Sequence, residues 1–384
     1  MKQVFLFIVF FPCIIFCQNT AFKNFGNIQI HDDGKIGFHT DLINDGNFDN
    51  DNLGLVGFYH DTETLNVSGL NRAVFHNIEI DVLENLNLLT SLGLNNQLSF
   101  VNGKVLTNRN NLNVSLDFIN HDFYVGEDDA RHVDGYVSNI GNSSNFTFPI
   151  GDDNKLREMI ISRFDRNTVY NGAYFFEDPN FPTTFSTSFS TTETALAVNT
   201  VSNYEFWDLN GSEQTIATLT WDEDSSIETI ATQLSSLVVV GWNIENNRWE
   251  NLGNSSLSGD FNSGRISSIP FIPNEYEIIT FGSSEERTNN FLISPNGEGP
   301  EGNERVIFEE LEEYAFSEFF VFNRWGNLVF HRKNYQNDFR GVSEGRATIN
   351  KDQELPIGTY FYELDFGDTE KFGKFIRGYI YITR

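Results

Sequence analysis

The sequence predicts an all-β protein, and three observations carry that prediction. Aromatic residues are abundant and flexible ones scarce: 38 Phe and 13 Tyr stand against 2 Met. Apolar and polar residues alternate over long stretches, the two-residue period of a strand with one face buried. Gly, Asn and Asp interrupt these stretches at short intervals, and only Glu309 to Tyr314 has a helical look. Short strands between turn signals assemble as sandwiches, barrels or coils of strands.

The N-terminus reads as a secretory signal over residues 1–17. Lys2 is the positive residue, Val4 to Phe11 is an unbroken apolar run that Ile14 to Phe16 extend past Pro12, and polar sequence starts at Gln18. Such a run is too short to span a bilayer and has the three-part layout of an export signal. Cleavage is expected between Cys17 and Gln18. Lipidation of Cys17 competes, but Phe16 stands where that route wants a small residue. The 2 cysteines, Cys13 and Cys17, both fall inside the signal. The mature chain is therefore expected to hold itself together by core burial, without disulfides. No later segment is apolar enough to cross a membrane.

Charge narrows the function classes. The net charge is -29. Residues 18–300 carry 39 acids and 13 bases, whereas residues 301–384 carry 15 and 11. A surface this acidic repels phosphate backbones, which argues against nucleic acid as a partner. It suits divalent cations and simple solvation outside the cell.

Residues 18–151 read as stacked short strands: Ile28 with Ile30, Ile36 with Phe38, Leu65 with Val67, Ile78 with Ile80, Leu86 with Leu88, Leu92 with Leu94, Leu98 with Phe100, Leu112 with Val114. Corners are expected at Asn44-Asp45-Gly46, Ser68-Gly69, Asn95-Asn96, Asn102-Gly103 and Asn110-Asn111, since Asn and Gly accept left-handed backbone. Of residues 18–125, 20 are Asn. That bias fits a strand solenoid in which corner asparagines hydrogen-bond from rung to rung, although no fixed period repeats; an ordinary sandwich or irregular β region is the other reading. The phrases Val74 to Ile80, Leu98 to Val105 and Phe148 to Gly151 resemble the passenger regions of exported Bacteroidetes proteins. That resemblance implies an adhesin-like or scaffold role.

Residues 152–284 read as a β-sandwich of about immunoglobulin size. Strands are expected at Met159 to Phe164, Ala173 to Phe176, Tyr204 to Leu209, Ile216 to Trp221, Leu237 to Trp242 and Glu277 to Phe281, with an exposed loop or a linker over Pro182 to Thr194 and a hairpin through Glu245-Asn246-Asn247. Four of the 5 tryptophans lie here. They fill a core or form a sugar platform, and Trp249, near a turn, is the one expected to be exposed.

After a linker at 285–290, residues 291–384 carry motifs in a fixed order: Ser294-Pro295-Asn296-Gly297-Glu298-Gly299, Val321-Phe322-Asn323-Arg324-Trp325-Gly326-Asn327, Asn334-Tyr335, Asn337-Asp338-Phe339-Arg340-Gly341, Leu355-Pro356-Ile357-Gly358-Thr359-Tyr360, and Gly378-Tyr379. Trp325-Gly326-Asn327 is a turn between strands, Pro356 and Gly358 set a turn before an aromatic strand, and a last strand is tied into a sheet. The series resembles the gliding-motility-associated C-terminal domain, the type B sorting domain of the type IX secretion system, over residues 288–384. The resemblance implies an Ig-like β-sandwich read by the outer-membrane machinery after delivery through the Sec translocon, and a protein that ends secreted or on the outer cell surface. The sequence departs from the family where Glu298 replaces an Asp, where Glu301-Gly302-Asn303-Glu304 replaces an Asn-Asp pair, and where Phe339 and Arg340 stand for Trp and Asp.

Candidate chemistry is sparse. Calcium needs several oxygens from a tight loop, and Asp41 to Asp51 is the densest acidic cluster, with Asp45, Asp49 and Asp51 as candidate ligands. His31-Asp32-Asp33 is a candidate transition-metal motif, but the 7 histidines show no helix-spaced pair. Asp222 with Glu223 is a nominal glycosidase pair, and Lys104 or Arg109 a nominal lyase base. Serine-nucleophile and phosphate-loop motifs are absent. The reading is a non-enzymatic adhesin or structural surface component without a cofactor, its ligand a surface polysaccharide or a protein. The alternative is a secreted carbohydrate-binding module or carbohydrate-active enzyme, which would place paired acids and an exposed aromatic in one concave site.

Overall fold

A computed structural model describes residues 21–48, 53–120, 123–141, 145–164, 168–195, 198–284, 289–300, 302–308, 311, 316–345, 350–365 and 375–384. The signal at 1–17, with Cys17 and Gln18, and most of Glu309 to Tyr314 lie outside these residues.

The chain begins as a strand solenoid of about six turns. One wall stacks Phe22–Asn24, Leu42–Asn44, Leu65–Ser68, Leu86–Leu88, Val105–Leu106, Val133–Asp134 and Ile150–Asp152 in parallel. The opposite wall stacks Lys35–Phe38, Leu55–His60, Ala73–Val82, Leu92–Asn102, Leu116–Ile119 and Val137–Ile140, also in parallel. Alternation explains the interior: in Leu65–Ser68, Leu65 and Val67 are buried while Asn66 and Ser68 are not. The raggedness of the sequence repeat is real. Side chains that bond across one turn are 19 residues apart at Asn77 and Asn96, and 25 at Arg109 and Asp134.

Asparagines tie rung to rung. The Asn24 amide donates to Asn44 at 2.8 Å, Asn87 to Asn66 at 3.0 Å and Asn96 to Asn77 at 2.6 Å. Asn44 in turn donates to the Asn71 carbonyl. An amide carries both a donor and an acceptor, so identical side chains can satisfy one another along a parallel stack. Three local expectations differ from the structure. Ile30 is buried but lies beyond the short strand Asn27–Ile28. Asn95-Asn96 is no corner; it sits in a register shift inside Leu92–Asn102, where the chain bulges and continues. Leu112 and Val114 lie in a turn closed by Val114 N–H on the Asn111 carbonyl.

The solenoid wall does not stop at residue 151. Val137–Ile140 pairs in parallel with Leu116–Ile119 on one side and antiparallel with Val169–Phe175 on the other. The sheet then continues through Phe206–Asn210, Tyr276–Ser283, Leu237–Asn243 and Arg248–Asn251. A second antiparallel sheet, Phe146–Phe148, Met159–Arg163, Thr215–Trp221, Gly264–Ser267 and Ser256–Gly259, covers one face and completes the sandwich. One hydrophobic cluster runs from Ile30 in the solenoid to Phe281 in the sandwich.

The other face of the sandwich sheet is covered by the Ser/Thr-rich loop. Phe185 and Phe189 from this loop pack edge-on against Phe206, and Phe189 against Trp242. Trp249 therefore has 0% exposure, against the expectation that it faces solvent. It pairs with Trp242 across the hairpin, and the loop bonds to it on both sides: Trp249 N–H donates to the Glu193 carbonyl, and Ala195 N–H to the Trp249 carbonyl. Polar neighbours in sequence misled because the loop that covers Trp249 bonds to its own backbone and comes from elsewhere in the chain. Trp207, Trp221 and Trp242 are core residues as well. The short helix Ile227–Ile230 has no counterpart in the sequence reading.

Candidate functional site

The C-terminal domain is built on a five-stranded sheet, in the order Phe291–Ile293, Phe375–Ile382, Gly358–Asp365, Glu318–Phe322, Leu328–Lys333. Its last strand is internal, parallel to Phe291–Ile293 and antiparallel to Gly358–Asp365. Val342–Glu344 and Lys351–Glu354 form a second, two-stranded sheet. Alternation in Gly358–Asp365 buries Tyr360, Tyr362 and Leu364 and turns Thr359, Phe361 and Glu363 outward. The domain closes its own core, in which Phe319 stacks on Tyr335 and Phe339 packs against Phe330.

The motif residues are mostly the corners of this sandwich. Asn323 accepts from the N–H groups of Trp325 and Asn327, both at 3.0 Å, and Gly326 takes φ +78°, which a residue with a side chain disfavours. Pro295 and Asn296 sit in a turn closed by Gly297 N–H on the Ser294 carbonyl, with the Ser294 hydroxyl donating to Asn296. The Tyr335 hydroxyl donates to the Val306 carbonyl at 2.8 Å and accepts from Phe339 N–H at 3.1 Å. Asn337 clamps Phe308 by both its N–H and its carbonyl. Asp338 pairs with Arg332 at 2.7 Å. The Gly341 carbonyl accepts from Leu355 N–H, and the Pro356 carbonyl from the Tyr360 hydroxyl. At Gly378 a Cβ would stand 2.1 Å from the Asn289 carbonyl oxygen, so only glycine lets the two backbones approach. Phe339 is buried, while Arg340 is exposed and its charge meets water.

What remains free is a tip and a face. Trp325 is 70% exposed, with the Arg324 guanidinium 4.2 Å above its ring. On the outward sheet face Leu292 lies beside Tyr381, and Tyr379 beside Phe361, which neighbours Phe322 on the next strand. Farther along, Phe320 stacks on His331 at 4.5 Å, and His331 with Lys333 holds the Glu318 carboxyl below the usual carboxylate range. No element among the described residues covers this aromatic row, unlike the sandwich sheet with its loop.

The remaining sequence candidates do not converge. Asp45 accepts from Leu70 N–H and Asp41 from Asn66, each tying one solenoid turn to the next; Asp49 and Asp51 lie outside the described residues. His31-Asp32-Asp33 is an exposed turn. Among the described residues no three His, Cys, Asp or Glu side chains group to hold a metal. Lys104 pairs with Asp134 and Asp153, and Arg109 with Asp134 and Asp152. Against the cost of its own burial, Asp222 is held below the usual range by Arg157 and Lys155. Arg157 also reaches Glu205 at 3.2 Å, where burial pushes the carboxyl up and Arg157 pulls it back. These groups are structural ties at the seam between solenoid and sandwich. Sequence reasoning passed over Arg157, Glu205 and Asp208. The signal was there: a charge inside an apolar strand, as in Phe206-Trp207-Asp208-Leu209, marks a buried polar group.

Residues 287–382 match the family model of the CHU_C type IX secretion signal domain, one quarter of the chain. No curated protein and no solved structure gives a match. This assigns the C-terminal domain as a type IX secretion signal and the chain as an exported protein. Among the described residues no helix is long and apolar enough to cross a membrane.

Proposed function

We propose that the chain enters the periplasm through the Sec translocon, crosses the outer membrane by the type IX machinery, and serves on the cell surface or in the medium as a non-enzymatic adhesin or structural component. The observation that carries the route is the signal-domain match on a unit with its own core. The parts of that unit available for recognition are the Arg324–Trp325 tip and the outward row of Tyr379, Phe361 and Phe322, because the other motif residues are engaged in holding corners. The non-catalytic role is supported by the seam, where the nominal lyase bases Lys104 and Arg109 and the nominal hydrolase acid Asp222 are each bound in ion pairs.

The test is localisation of the full chain and of a chain ended after Ser284, both in a bacterium with a type IX system. Loss of surface and medium signal from the shortened chain, with periplasmic accumulation, is the expected result. Unchanged export of the shortened chain would overturn the assignment of residues 287–382 as the address.

A further inference from the structure

Six separate segments converge on a cleft of about 680 Å³ beside the seam. The solenoid supplies Arg109 and Tyr136, the covering loop Phe185, and the sandwich strands Asp208, Tyr276 and Glu277. The volume falls within the roughly 300–1,000 Å³ of small-ligand sites, and a junction of two structural units is where such sites concentrate.

The lining chemistry restricts the ligand. Asp208 is only 7% exposed. It accepts from the Tyr136 hydroxyl at 2.5 Å and from the Asn210 amide at 2.6 Å, and no cation among the described residues bonds to it. Glu277 stands nearby on an exposed strand position, close enough for its charge to act on Asp208. The cleft thus presents two carboxylates with oxygens able to accept further hydrogen bonds, and the amides of Asn210 and Asn274. Phe185 and Tyr276 add half-buried ring faces. Arg109, the cation in the lining, is held by Asp134, Asp152 and the carbonyls of Tyr174 and Gly151. An anionic ligand would therefore meet two acids and a neutralised guanidinium, within a chain of net charge -29. Hydroxyl groups that donate to carboxylates and accept from amides, on an apolar ring that lies against an aromatic face, fit all of these features.

We infer that this cleft binds a neutral oligosaccharide. This deepens the adhesin reading by naming the ligand class its exposed part would hold. Binding can be measured on purified full-length chain, so its failure leaves the export result untouched, and the reverse holds.

The experiment is titration calorimetry with neutral hexasaccharides of the cello-, laminari-, xylo-, manno- and chito- series, alongside an oligouronate of equal length. Saturable binding of at least one neutral series, weakened by about tenfold or more (~1.4 kcal/mol) in Asp208→Asn and in Glu277→Gln, with no binding of the oligouronate, is expected. Glu277 is exposed, so its variant keeps the fold; unchanged melting is checked for it, and melting no lower than the parent's for Asp208→Asn. No binding of any neutral series at millimolar concentration, equal or tighter binding of the oligouronate, or undiminished affinity in the Glu277→Gln chain would each overturn the inference.

Discussion

In residues 21–284 one hydrophobic cluster runs from Ile30 to Phe281, whereas the C-terminal domain closes a separate cluster from Ile293 to Ile382. The first sheet passes from parallel solenoid strands to antiparallel sandwich strands without interruption, and among the described residues no strand of the C-terminal domain pairs with it. Their finish also differs. The sandwich sheet is buried on both faces, one under a second sheet and one under the loop that carries Phe185 and Phe189, while the C-terminal sheet leaves an aromatic face open. A shared core makes solenoid and sandwich one cooperative unit; a private core makes the signal domain separable from whatever it accompanies.

The comparison can be broken by calorimetry of single variants, which should show two transitions in the full chain. The largest effect is expected from Arg157→Ala. It leaves the fully buried Glu205 without its cation and should cost about 3–5 kcal/mol in the first unit and nothing in the second. Equal losses in both transitions would mean that the cores are coupled.

Asp208→Asn sharpens the same contrast through pH. Burial, with the charge of Glu277, outweighs the bonds from Tyr136 and Asn210 and raises this carboxyl from 3.8 to about 7. A raised carboxyl pKa means that the folded state holds the proton more tightly. Its stabilising contribution is complete below about pH 4 and is lost as pH rises through about 7. The variant should therefore match the parent near pH 4 and exceed it by up to about 4 kcal/mol near pH 8, read from denaturant midpoints. A difference independent of pH would refute the burial of an uncompensated carboxylate there.

Tyr335→Phe should cost about 1–3 kcal/mol in the second transition alone, since the Val306 carbonyl loses its buried donor. Asn87→Ala, which removes one rung-to-rung bond to Asn66, should cost about 1 kcal/mol in the first. Trp325→Ala is expected to shift neither transition by more than about 0.5 kcal/mol, because the ring is mostly in water. A larger loss would make the tip a structural element and remove it as a recognition surface.

The strands and the signal domain were legible because their causes are local. Alternation marks Leu65–Ser68, and Asn323 with Gly326 specifies a turn within five residues. The run of the solenoid sheet into the sandwich was not legible, because Val137–Ile140 looks the same whether its next neighbour is parallel or antiparallel; that choice lies in the partner strand Val169–Phe175. Trp249 was misjudged for a related reason, its cover arriving from a loop more than fifty residues earlier in the chain. The cleft of Asp208 and Glu277 draws on six segments, and no spacing in one of them announces the others.

The internal position of Phe375–Ile382 has a consequence for protein synthesis. A ribosome that stalls anywhere before Phe375 releases a chain whose signal sheet lacks the strand that joins Phe291–Ile293 to Gly358–Asp365. Such a fragment contains the whole solenoid and sandwich yet cannot display a finished address. Because that strand follows the solenoid and the sandwich in the chain, a chain that carries the finished signal sheet has been translated through both of them.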